Sequence, residues 1–206
     1  MTILIILGGP SGVGKSTICK ELSKKLQNSI CVNYYKTMEQ LGRANKYTNK
    51  EILQKWASIE IELFEKIIRP ALSEGKTVVL DTHFSFQKKI SPERAFEKGY
   101  YPVNVSVSLA HSSLLINRLA VEKVFVLLIC LISPIETIIA RKFTDSTRTT
   151  HMSKKIVAIE IDNELKLWKK LSNKLRLHSV RHKRELVSNL GKPSEARNKI
   201  LSLINN

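Results

Sequence analysis

The strongest constraint on this chain lies at its start, where an Ile-rich apolar run over residues 2–7 breaks into Gly8-Gly9-Pro10-Ser11-Gly12-Val13-Gly14-Lys15-Ser16-Thr17. Residues 9–16 read G-x-x-x-x-G-K-S, the spacing of a phosphate-binding loop set between a strand and a helix. Each residue type has a physical task there. Gly9, Gly12 and Gly14 let the backbone turn its N–H groups toward an anion without interference from a Cβ, which makes the backbone from Ser11 through Val13 to Ser16 and Thr17 the candidate cradle. Lys15 is placed to reach the β- and γ-phosphates of a nucleotide, and the Ser16 hydroxyl to face Mg²⁺. A helix that begins near Lys15 aims its positive end at the same anion. ATP and Mg²⁺ are the ligands this loop predicts.

The rest of the chain alternates strand-like and helix-like segments. Ile18, Leu22 and Leu26 recur at helical spacing after the loop, and residues 30–34 are β-rich. Thr48-Asn49-Lys50-Glu51 is a capping box that opens a long apolar stripe running to Pro70 and Gly75. Residues 76–81 and 124–132 are continuous apolar runs, as buried parallel strands require. Ser133-Pro134-Ile135-Glu136 supplies an N-cap, a first-turn proline and a capping-box acid for a helix to about residue 142. Between them, Ser91-Pro92-Glu93 reads as a helix start, residues 99–102 as a turn, 103–109 as a strand-like run and 112–119 as a short helix. Residues 156–171 carry another helical stripe, marked in part by Glu160 and Asn163, 175–180 form the expected last strand, and Pro193 opens a final helix. Such alternation predicts a parallel, doubly wound α/β sheet with helices on both faces.

At 206 residues, 43% hydrophobic and 25% charged, the chain suits one well-buried domain. Cys19, Cys31 and Cys130 are widely spaced and form no C-x-x-C pair, so neither a zinc site nor a disulfide framework is expected, and a cytoplasmic, reducing setting suits them. The longest apolar run is about nine residues against the roughly 20 of a membrane span, which predicts no membrane partner. The net charge of +16 exceeds what a phosphate site needs, and it is densest after Lys154. That concentration reads either as a nucleic-acid-facing patch or as the solvated face of a helix.

Outside the loop, several side chains are candidates for chemistry. Asp81 ends its apolar run at the edge of the sheet where ligands collect, and would hold the hydrated Mg²⁺ with Ser16. His83, two residues on, could touch substrate. Arg141 and Arg148 follow the helix after the central strand, where a guanidinium fork can clamp a migrating phosphoryl group. Trp56 on the long stripe could stack on a base or pack in the core.

Residues 8–17, Leu80-Asp81-Thr82-His83, Lys98-Gly99-Tyr100 and Arg141 followed by Asp145-Ser146-Thr147-Arg148 together resemble the archaeal type of adenylate kinase, a branch of the P-loop nucleoside monophosphate kinases. The resemblance implies a P-loop fold with a five-stranded parallel sheet, a nucleoside-monophosphate-binding insertion over about 35–72 and a short lid over about 141–153. It implies ATP with Mg²⁺ as phosphoryl donor, a nucleotide acceptor, and a homo-oligomer. The sequence also departs from that pattern. Arg148 is followed by Thr149 and Thr150 where a second lid arginine is usual, and Gln54-Lys55 stand where an acceptor-phosphate arginine is usual, with Arg43 and Arg69 as substitutes. The expected function is transfer of the ATP γ-phosphoryl to a nucleoside monophosphate. A kinase for another small acceptor and a nucleotide-switched RNA-binding or ribosome-assembly factor are the alternatives.

Overall fold

The computed structural model describes residues 2–84, 113–144, 153–190 and 192–205. Expectations for residues 85–112, and for Asp145 and Arg148 in the lid, lie outside the described residues. The described strands are β1 (Ile3–Gly8), β2 (Ser29–Asn33), β3 (Thr77–Asp81), β4 (Phe125–Ile132) and β5 (His182–Ser188). All pair in parallel in the order β2-β3-β1-β4-β5, the parallel sheet expected from the alternating pattern with the five strands that the resemblance implies.

Why the central strands are apolar throughout follows from what covers them. Leu4 and Ile6 of β1 face one side, with Val78, Leu80, Val126 and Leu128, while Ile3, Ile5 and Leu7 face the other, with Val79, Leu127 and Ile129. Helix α1 (Lys15–Lys25) and the last helix cover the second face through Ile18, Leu22, Ala196 and Ile200. The first face is covered by the helices inserted between β2 and β3 and by a long helix late in the chain, through Ile59, Phe64, Trp168 and Leu171. Each fully buried Val, Leu, Ile or Phe among them contributes about 1.5–3 kcal/mol of burial. With both faces covered, alternation disappears from the sequence.

The insertion between β2 and β3 comprises α2 (Tyr34–Ala44), α3 (Asn49–Gln54), α4 (Trp56–Leu63), a π-helical turn (Phe64–Ile68) and α5 (Arg69–Ser73). The capping box is present in full: Thr48 Oγ1 accepts from Glu51 N and Glu51 accepts from Thr48 N. Pro70 does not stop the helix. It lies in the first turn of α5, immediately after the π-helical turn, where its missing N–H and its ring are tolerated.

After α6 (Ser113–Val121) and β4 come α7 (Ile135–Phe143), α8 (Lys154–Leu177) and, beyond β5, α9 (Pro193–Asn205). Three expectations are corrected here. The last strand is not 175–180: buried Leu171 and Leu175, four apart, carry the α8 stripe onward until Ser179 takes φ 57° and ends it, and the strand follows at His182–Ser188. Its polar sequence escaped notice because it is an edge strand with Val187 buried. Ser133 is not the cap of α7; Pro134 is, and the Ser133 hydroxyl donates to Asn189 O. Cys19 and Cys31 are joined in a disulfide, because α1 folds back over β2 and brings their Cα atoms to 5.9 Å despite a separation of 12 residues. The cysteines therefore carry no argument for a reducing compartment. Among the described residues no helix is long and apolar enough to cross a membrane.

Replacing Thr48 with Ala removes the acceptor for Glu51 N and is expected to lower unfolding stability by about 1 kcal/mol, measured by urea denaturation. No change in the midpoint would show that the insertion's helices do not depend on this cap.

Candidate active site

The phosphate-binding loop sits at the C-terminal end of the central strand, and backbone geometry explains its glycines. Gly9 has φ +134°, and a Cβ there would lie 2.4 Å from Leu131 O on β4. Gly14 has φ +96° immediately before α1, and a Cβ there would meet Asn189 Nδ2 at 2.8 Å. Asn189, after β5, uses that amide to donate to Val13 O at 2.7 Å. Arg141 Nη1 donates to the same carbonyl at 3.1 Å. The back of the loop is thus held by α7 and by the end of β5.

Strand register places the acidic residue. Asp81 lies beside Leu7 on one side and Asn33 on the other, at the same sheet edge as the loop. Ser16 Oγ donates to Asp81 Oδ2 at 2.6 Å and Asn33 Nδ2 donates to it at 3.1 Å. A hydroxyl and a carboxylate oxygen so close together at the mouth of an anion cradle are the hard-oxygen donors that Mg²⁺ takes. Ser16 and Asp81 could hold such an ion between them.

Lys15 is only 7% exposed. Its ammonium donates to Gly9 O at 2.8 Å and Pro10 O at 3.0 Å, and lies 3.3 Å from His83 Nδ1. Burial pulls its pKa down to about 8, against the pull of Glu164, Asp81 and Glu160, which favour the charge. The lysine is folded back on the loop's own carbonyls.

Two acids missed as site residues complete the arrangement. Glu160 and Glu164, one turn apart on α8, both point into the loop. Glu164 is fully buried; its Oε2 accepts from Gly9 N at 3.2 Å and from Phe84 N at 2.8 Å, and its Oε1 lies 3.6 Å from His83 Nδ1. Glu160 accepts from Ser11 N at 2.6 Å and pairs with buried Lys142 at 2.6 Å. The Ser11 N–H, expected to face phosphate, is thus taken by a carboxylate in this state. The signal was present in the sequence as acids lying among the apolar positions of a helical stripe.

The cavity holds about 450 Å³ and is lined by Ser11, Gly12, the turn from Gly14 to Thr17, Asn33, Tyr35, Asp81, Thr82, His83 and Arg141. Tyr35 donates to His83 O at 3.1 Å, and burial pushes its phenol pKa up, so it stays a donor. Of the other candidates, Trp56 stands behind Tyr35, with ring centroids 5.9 Å apart, and donates to Tyr34 Oη at 3.1 Å; it does not line the cavity. Arg43 is exposed in the last turn of α2, and neither it nor Arg69 lines the cavity; Arg69 pairs with Glu65. Among the described lining residues the cations are Lys15 and Arg141. Cys130, beneath the loop, is no nucleophile: burial pushes its thiol pKa up to about 12.

Two measurements probe this site. Nucleotide affinity, read by calorimetry without Mg²⁺, is expected to weaken above pH 8 by up to about tenfold per unit, as the folded Lys15 loses the proton that binds phosphate. A flat profile from pH 7 to about 9.5 would refute the lowered pKa. Glu164→Ala leaves the Gly9 and Phe84 N–H groups buried without an acceptor and is expected to cost about 2–5 kcal/mol in urea unfolding. A loss under about 1 kcal/mol would show that the carboxylate does not hold the loop.

Among 228 similar solved chains is a shikimate kinase from Acinetobacter baumannii in complex with shikimate, 18% identical, aligned over 99% of this chain and 93% of that one with a TM-score of 0.47. No curated protein matches the sequence. Residues 5–141, which span the loop, Asp81 and Arg141, match the AAA domain family, and the chain belongs to that family.

Proposed function

We propose that the protein is an ATP-dependent phosphotransferase whose acceptor is a nucleoside monophosphate. The observation that carries this reading is the convergence of Lys15, Ser16 and Asp81 at the N-terminus of α1, at one edge of a parallel sheet. Positive backbone dipoles, a buried ammonium and paired oxygen donors meet there, as a triphosphate with a divalent ion requires. Magnesium, when bound, supplies charge neutralisation on the β- and γ-phosphates, and Ser16 and Asp81 are the residues that would hold it.

The chain's own groups then account for transfer. On binding, Lys15 exchanges the carbonyls of Gly9 and Pro10 for phosphate oxygens, which restores its proton affinity. The acceptor oxygen forms a bond to the γ-phosphorus as the bond to the β–γ bridging oxygen breaks, leaving ADP. Arg141, held at the cavity wall by Val13 O, meets the charge spread over the transferred group, with Arg148 as its partner from the lid. An acceptor phosphate is already an anion, so no side-chain base is required. The resemblance to archaeal-type adenylate kinases favours the nucleotide acceptor.

One observation favours a second reading, a small hydroxyl-bearing acceptor. His83 lines the cavity with its ring backed by Glu164, an arrangement that can take a proton from a hydroxyl. A coupled ADP-release assay with Mg²⁺ATP and a panel of nucleoside monophosphates separates the two. Strong stimulation by one monophosphate, reduced at least about 100-fold in Lys15→Ala, is expected. Release that no monophosphate stimulates, or transfer undiminished in that variant, would overturn the proposal.

A further inference from the structure

Helix α8 sorts its charges between two faces. Its acids Glu160 and Glu164 turn inward to the phosphate-binding loop, where Glu164 is buried and Glu160 is paired with Lys142. The outward face keeps the lysines. Lys166, Lys169 and Lys170 are exposed and Lys174 half-buried, along a hollow of about 610 Å³ whose described lining includes one acid, Asp162. From residue 166 to residue 184 there are eight Lys and Arg and no acid. The helix dipole accounts for Lys174 and Arg176 in the last turn, but not for the lysines two turns earlier. Among the described residues, Lys166 and Lys169 join no ion pair.

We infer that this face of α8 is a binding surface for the phosphate backbone of a nucleic acid. Lysines at 166, 170 and 174 recur every four residues, about 6 Å apart along the axis, as a row of fixed charges that a strand of evenly spaced phosphates can follow. An anionic membrane is the weaker match. A helix lying in a bilayer surface buries a continuous apolar face there; α8 keeps Val157, Trp168, Leu171 and Leu175 buried within the protein, and the large apolar side chains it exposes, Ile156, Ile159 and Leu177, lie at its two ends and form no such face. Among the described residues the hollow is lined by lysines with no aromatic beside them, so the contact is with backbone and independent of sequence. The surface does not rest on the proposed phosphotransfer.

Fluorescence anisotropy of the full chain with single-stranded RNA and with duplex DNA of about 20 units, across about 50–200 mM salt, tests this. Affinity is expected to fall about ten- to a hundredfold over that range, as release of counterions from three or four phosphates requires. Lys166→Glu with Lys169→Glu should weaken binding at least about tenfold and flatten the salt dependence. A control pair, Lys20→Glu with Lys36→Glu, carries the same charge change on exposed positions of α1 and α2 and should weaken it far less. Nucleotide binding and the unfolding midpoint should be unchanged in both pairs. Whichever of RNA or DNA binds more tightly identifies the source of the backbone. Equal losses in both pairs would reduce the effect to net charge and overturn the inference. Binding to phosphatidylserine vesicles but to neither nucleic acid would overturn it as well.

Discussion

The arrangement of this site depends on a carboxylate with no access to water. Glu164 lies within the protein and is offset by the N–H of Gly9, the N–H of Phe84 and the nearby Lys15 ammonium. Gly9 opens the phosphate-binding loop and Phe84 follows the strand that carries Asp81. One side chain on α8 therefore fixes two segments that approach the same ligand from neighbouring strands. An ionised carboxylate left unpaired in such a place would cost several kcal/mol, so the loop, the β3 end and α8 hold their relative positions together.

The same electrostatics explain why Lys15 is buried yet usable. Desolvation lowers its proton affinity, three carboxylates raise it, and the loop carbonyls of Gly9 and Pro10 take its hydrogen bonds. The balance leaves a buried ammonium whose hydrogen bonds go to the loop's own carbonyls. Pre-oriented charge of this kind is what phosphoryl transfer needs from a protein. His83 and Tyr35 belong to the same network, since Tyr35 holds the His83 carbonyl while the imidazole lies between Lys15 and Glu164.

Helix α8 joins the site to the surface. Its inward acids Glu160 and Glu164 answer the loop, while Lys166 and Lys169 on its outward face join no ion pair among the described residues. The phosphate-binding loop and the basic hollow thus lie on opposite faces of one helix.

The sequence by itself determined what local chemistry dictates. The glycine spacing of residues 9–14 permits only a tight loop, the apolar runs of β1, β3 and β4 require a sheet covered on both faces, and Asp81 at the end of such a run has to reach the ligand edge. The AAA domain match, over residues 5–141, takes in the loop, Asp81 and most of these runs. What only the tertiary structure decided are pairings between residues far apart in the chain. Glu164 and Glu160 meet the loop from 155 and 149 residues away, and a helical stripe shows that an acid faces inward but not what it meets there. Cys19 meets Cys31 only once α1 lies over β2, and the edge strand β5 could not be recognised from its own polar residues because its partner β4 supplies the pairing. Periodicity fixes which face of an element is buried; the packing of elements fixes its neighbour.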